Sequence, residues 1–89
     1  MTSKERAHLR AQGNGLETIF QIGKGGINDN LIVQVDDAIE VRELIKLRCL
    51  DTCPISPREA CDEICKKLGA EGIQVIGSRF LIYRKSTKK

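Results

Sequence analysis

Eighty-nine residues with a formal net charge of +3 and a pI near 8.8 describe one small domain, able to bury about 60–65% of its unfolded surface. Phe20, Phe80 and Tyr83 are the only aromatics, so the core must be aliphatic, and a sheet that stacks single-stranded bases on several exposed rings is excluded. No apolar run approaches the roughly 20 residues of a membrane span, and the N-terminus lacks the apolar stretch of a secretory signal. The chain therefore reads as cytosolic, with its four cysteines reduced.

Thr2-Ser3-Lys4-Glu5 has the T-x-x-E form of a capping box and opens a first helix, which Gly13-Asn14-Gly15 ends after about Gln12. A strand follows near residues 18–22. Asn28 then N-caps a second helix running to about Val41. There Leu31, Ile32, Val35, Ala38 and Ile39 recur at helical spacing, with Asp36, Asp37 and Glu40 toward the other side. From Leu44 to Leu50, Ile45, Leu47 and Cys49 alternate with Lys46 and Arg48, which predicts a strand whose two cations face solvent. Ser56-Pro57-Arg58-Glu59 is a second capping box with proline at the first helical position. The third helix runs to Leu68, with Ala60, Cys61, Ile64, Cys65 and Leu68 inward, and Gly69 stops it. Two strands, about 71–76 and 79–84, meet at a tight Gly77-Ser78 turn. Both are apolar on both faces, so alternation does not say which side of Ile76, Leu81 or Tyr83 meets the helices. The order αβαβαββ predicts an α/β (α+β) domain over residues 1–84, a four-stranded mixed sheet with three helices, and a disordered basic tail at 85–89.

The segment Gln21-Ile22-Gly23-Lys24-Gly25-Gly26-Ile27-Asn28 breaks an apolar strand with three glycines and a lysine just before a helix. Glycines admit close backbone approach, and a helix N-terminus offers unpaired N–H groups and partial positive charge. The segment fits neither G-x-x-x-x-G-K-[ST] nor G-x-G-x-x-G, which argues against nucleoside triphosphates and dinucleotides. Gly23-Lys24-Gly25-Gly26 does fit the G-x-x-G form with which KH-type modules clamp an RNA backbone. Such a loop also serves simply as a strand-to-helix turn, so other features must decide. Positive charge comes from four segments: the loop, Lys46 and Arg48, the first helix, and a C-terminus holding Arg79, Arg84, Lys85, Lys88 and Lys89. Residues 25–77 are acidic on balance.

Other chemistries find less support. Cys49, Cys53, Cys61 and Cys65 have C-x3-C…C-x3-C spacing, which invites a zinc site, but Cys49, Cys61 and Cys65 occupy inward positions and read as buried thiols. A Cys61–Cys65 disulfide is disfavoured because helical i, i+4 Cβ atoms lie about 5–6 Å apart, beyond the roughly 3.5–4.5 Å such a bond takes. His8 has no suggested carboxylate partner, Asp36 and Asp37 point about 100° apart, and Cys53 has no adjacent base. No catalytic group, metal or cofactor is predicted.

Thr2 through Arg10, Gln21 through Asn28, Glu43-Leu44-Ile45-Lys46, Gln74-Val75-Ile76-Gly77 and Leu81-Ile82-Tyr83-Arg84 together resemble the CRM domain, and most closely the stand-alone bacterial YhbY-like RNA-binding proteins. The likeness covers nearly the whole chain in one continuous order. It implies a fold like the C-terminal domain of translation initiation factor 3, RNA contact through the G-x-x-G loop, and association with precursors of the large ribosomal subunit. Related plant domains act in splicing of organellar introns. Carried over by position, the loop is Gly23, Lys24, Gly25 and Gly26, and the basic face includes Arg6, Arg10, Lys46 and Arg84. The cysteines are outside the pattern. Residues and resemblance together predict a monomeric, non-enzymatic protein that binds ribosomal RNA, with neither a membrane nor a small-molecule substrate as partner. Amides of residues 23–28, including Asn28, would hold phosphate, and Lys24, Arg48 and the other cations would orient the strand. The competing reading is a protein-interaction module of the translation apparatus that uses the acidic face of the second helix.

Overall fold

In the computed structural model, which describes residues 2–86, the three helices start on side-chain caps. Thr2 Oγ1 accepts from Glu5 N (3.1 Å) at the start of α1 (Ser3–Asn14), and Asn28 Oδ1 accepts from Leu31 N (2.8 Å) at α2 (Asp29–Arg42). Ser56 Oγ accepts from Glu59 N (3.2 Å) at α3 (Pro57–Leu68). Each cap satisfies one of the N–H groups that a helix start leaves without an acceptor. Gly69, at φ 66°, closes α3 in the left-handed conformation that glycine adopts without a steric penalty.

The strands β1 (Thr18–Ile22), β2 (Leu44–Cys49), β3 (Glu71–Ile76) and β4 (Arg79–Tyr83) form one sheet in the order β1-β2-β4-β3. β1 and β2 are parallel, joined through α2, and the other pairs are antiparallel. One face carries the main core, in which Val35 and Ile39 of α2 and Ala60, Cys61 and Ile64 of α3 pack on Ile22, Ile45, Leu47, Phe80 and Ile82. The other face is covered by α1, where Leu9 packs with Leu44, Ile73, Leu81 and Tyr83. Coverage on both faces explains why Phe80, Leu81 and Ile82 are all buried in succession, the pattern that defeats a reading by alternation. Leu81 and Tyr83 therefore meet α1, and Ile76 shares their face but lies exposed beyond the end of that helix.

Three expectations change. α1 continues through Gly13 to Asn14, with Gly15 as its C-cap. Gly13 is buried because the helix lies so close to the sheet that a Cβ there would fall 2.2 Å from Leu81 Cδ1. Lys46 and Arg48 are half-buried rather than free in solvent, since the face they share is partly roofed by α1. Ser86, assigned to the tail, is buried, its N–H donating to Glu43 Oε2 (2.7 Å) and its hydroxyl bonded to Glu40 Oε2 (3.2 Å). Of the other tail positions, Lys85 is exposed, and 87–89 lie outside the described residues. Among the described residues no helix is long and apolar enough to cross a membrane.

Candidate functional site

The glycine segment leaves the C-terminal end of β1 as a tight turn, in which Gly26 N donates to Gly23 O at 3.0 Å. Gly26 has φ 63°, and a Cβ there would lie 3.2 Å from Pro54 Cγ. Both facts call for glycine. A Cβ at Gly23 would lie 3.6 Å from Leu50 Cδ1 and from Thr52 Oγ1, so the turn rests against the loop that follows β2. Leu50 N donates to Ile22 O (2.9 Å), tying the two loops together. Lys24 and Gly25 stand exposed at the tip. Asn28 supplies its side-chain oxygen to Leu31 N, which leaves the amides of Asp29 and Asn30 as the helix donors without an intrahelical acceptor. Asp29 sits in that first turn; it suits the helix dipole and repels a phosphate placed directly above it, favouring approach from the loop side.

The cations named from the sequence divide between the two ends of the sheet. Arg48 pairs with Gln21 of β1, two residues before the loop, and Lys46 lies one row further away. Arg6 and Arg84 belong to the opposite end. Arg6 is fixed to the start of β3, bonded to Gly72 O and to Glu71 Oε2 (3.1 Å). Arg84 reaches across to α2 and α3, meeting Asp36 Oδ1 (2.8 Å), Glu40 Oε1 (3.1 Å) and Leu68 O (3.0 Å). Its charge is compensated on the spot, so the geometry gives it a structural task. Arg10 is half-buried on α1 with no ion pair among the described residues. Arg79 completes the group near the loop: it is exposed and lies directly opposite Arg48. Its position was hidden in the sequence, where it counted only as one charge of the C-terminal segment, because strand pairing is a long-range property. The alternation that places Lys46 and Arg48 on one face was the available signal.

A family model for the CRS1 / YhbY (CRM) domain matches residues 1–84. The chain belongs to the CRM domain family. It is 37% identical over 86 residues to the Bacillus subtilis protein named "Probable RNA-binding protein YqeI", spanning 97% of this chain and 90% of that one. It is 32% identical over 71 residues to a segment of the maize "CRS2-associated factor 1, chloroplastic", spanning 80% of this chain and 9% of that protein. The solution structure of the hypothetical protein SAV1595 from Staphylococcus aureus superposes with a TM-score of 0.79 at 41% identity, covering 98% of this chain and 91% of that one. The helix and strand order described above is thus the fold of this CRM domain and of that solved relative.

The four thiols of this CRM domain are free. Cys49 and Cys61 are buried, and Cys53 and Cys65 are partly so. Burial pushes the Cys49 thiol up to about 12, with the neighbouring Cys53 adding to the effect. The hydrogen bond between Cys61 and Cys65 raises Cys65 and lowers Cys61, so Cys61 is the member of that pair that ionises first. Among the described residues no group of three or more His, Cys, Asp or Glu side chains is placed to hold a metal ion.

Proposed function

We propose that this CRM domain is a non-enzymatic, cytoplasmic and monomeric RNA-binding protein that engages ribosomal RNA during assembly of the large subunit. The observation that carries the reading is the glycine turn, a backbone clamp with an exposed lysine at its tip, set at a helix N-terminus beside Arg48. Amides of the turn other than that of Gly26, which is bonded to Gly23 O, and those of the first residues of α2 hold phosphate oxygens, Lys24 adds a charge-assisted contact, and Lys46 and Arg48 fix the strand's orientation. The name of the Bacillus subtilis relative supports the RNA part of this reading. The ribosomal part rests on the resemblance to the bacterial YhbY-like proteins. Recognition works through backbone charge and shape, since Phe20 and Tyr83 are half-buried, Phe80 is fully buried and no aromatic is freely exposed.

The competing protein-interaction reading is weakened by Arg84, whose guanidinium holds Asp36 and Glu40 on the acidic face of α2. Binding to structured ribosomal RNA fragments, with single- and double-stranded controls, across a salt series tests the proposal. Tight binding that weakens steeply with salt and favours a structured fragment is expected. No binding even at low salt overturns it. Gly25→Asp is the sharpest variant: a Cβ there meets nothing nearer than Asn28 Nδ2 at 3.7 Å, so the fold tolerates it while the new carboxylate repels phosphate. It should weaken binding more than Lys24→Ala.

A further inference from the structure

The last row of side chains before the glycine turn crosses all four strands. Gln21 pairs with Arg48, Arg48 with Arg79, and Arg79 with Ile76. Paired residues share a face, and Arg79 stands two residues before Leu81, so this is the face that α1 covers lower down. The helix stops short of the row. Its last residue, Asn14, borders a cleft of about 200 Å3 together with Lys46, Gln74, Ile76, Arg79 and Leu81. Gln21 and Arg79 are exposed, and Ile76 is 58% exposed.

The charge on this open half of the sheet is unbalanced. Two arginines at directly paired positions on neighbouring strands repel unless an anion lies between or above them. Lys46, Arg48 and Arg79 make no ion pair among the described residues. Arg48 Nε is buried and has no hydrogen-bond partner among them. A guanidinium fork matches phosphate oxygens in geometry as well as charge. Lys46 and Arg79 line the cleft, and Arg48 lies beside it at the position paired with Arg79. The cleft is smaller than the roughly 300–1,000 Å3 of sites that take a drug-sized ligand, which suits one backbone phosphate and its sugar rather than a free nucleotide. Ile76 offers that sugar or its base an apolar surface.

We propose that this open half of the sheet is a second RNA-contact surface, in which Arg48 and Arg79 hold a phosphodiester of the same strand that the glycine turn grips. Gln21 and Gly23 are two strand residues apart, about 7 Å, so the strand runs from the turn down onto the sheet. The inference rests on the RNA-binding reading above and adds to it a surface and Arg79.

Arg79→Gln tests it, because Arg79 is exposed and the change removes charge without emptying a core site. The full chain, Lys24→Ala and Arg79→Gln are titrated into a labelled RNA stem–loop by fluorescence anisotropy over a salt series, with a polyglutamate peptide as a second probe. Amide NMR shifts are followed during the RNA titration. Arg79→Gln should weaken RNA binding about three- to tenfold and lower the salt slope by about one unit. The amides of Gln21, Arg48, Arg79 and Ile76 should shift. If Lys24→Ala weakens binding while Arg79→Gln leaves affinity and slope unchanged, the sheet surface is refuted and the glycine turn survives. If Arg79→Gln weakens binding while Lys24→Ala does not, the sheet surface stands without the turn. Loss of polyglutamate binding with RNA affinity untouched would reassign the surface to an acidic protein and overturn the proposal.

Discussion

At Gly13 and Gly26 a missing Cβ is required for different reasons. Ala at Gly13 would gain about 1 kcal/mol of helix propensity, but its methyl carbon would sit 2.2 Å from Leu81 Cδ1, and Leu81 is buried and cannot swing aside. Overpacking of that kind costs about 1–3 kcal/mol, so the clash wins. Gly13→Ala should lower the urea midpoint without changing the m-value. Gly26→Ala should lose about 1–2 kcal/mol from the left-handed backbone alone, with the 3.2 Å approach to Pro54 adding to it. Both losses are read by chemical denaturation. Lys24, exposed and in no ion pair among the described residues, belongs to the opposite class: Lys24→Ala should leave the denaturation curve in place and lower the salt slope of RNA binding by about one unit.

Among the elements, the joint between β4, α2 and α3 depends on Arg84. Its side chain is 17% exposed and bonds two carboxylates of α2 and the last carbonyl of α3, Leu68 O, a favourable partner for a cation at a helix C-terminus. Breaking a fully buried pair costs about 3–5 kcal/mol, but the Asp36 side chain is 47% exposed, which screens that half of the interaction. Arg84→Ala should therefore destabilise the domain by about 2 kcal/mol and, in the folded protein, leave RNA affinity within experimental scatter of the parent. A large loss of affinity with unchanged stability would place Arg84 in the interface instead. The same reasoning applies more weakly to Arg6, whose pair with Glu71 is more open to solvent.

For the whole molecule, the ion pairs of the described residues, Arg6 with Glu71 and Arg84 with Asp36 and Glu40, lie toward the end of the sheet away from the glycine turn, while Lys46, Arg48 and Arg79 on the open half of the sheet make none. Salt sensitivity should therefore be strong in binding and slight in folding. Alkaline stability has a separate source. The Cys49 thiol ionises at 9.0 when exposed and at about 12 when buried in the native protein. Below pH 9.0 both states keep the proton. Between the two values only the unfolded chain releases it, so native stability falls as pH rises, by about 1.4 kcal/mol per pH unit from this group. Urea midpoints measured across that window should decline in the parent and decline less in Cys49→Ala, once its own loss of packing is subtracted.

Element order, the three caps, the glycine turn and the inward faces of α2 and α3 were legible in the sequence, because each depends on residues within one or two helical turns of one another. The side-chain oxygens of Thr2, Asn28 and Ser56 act on amides three positions away, and the spacing alone announces it. The division of labour among the arginines was not legible. Arg84 and Asp36 are separated by 48 positions, Arg6 and Glu71 by 65, and Arg48 and Arg79 by 31; only sheet pairing and helix docking bring each pair together. Alternation failed at β4 for the same reason, since a strand buried on both faces carries no period of two. By itself the sequence determined which segments are helix, strand and turn, through local hydrogen bonding and periodicity. Tertiary structure alone decided which face α1 covers and which cations remain uncompensated, because charge balance is set by neighbours in space.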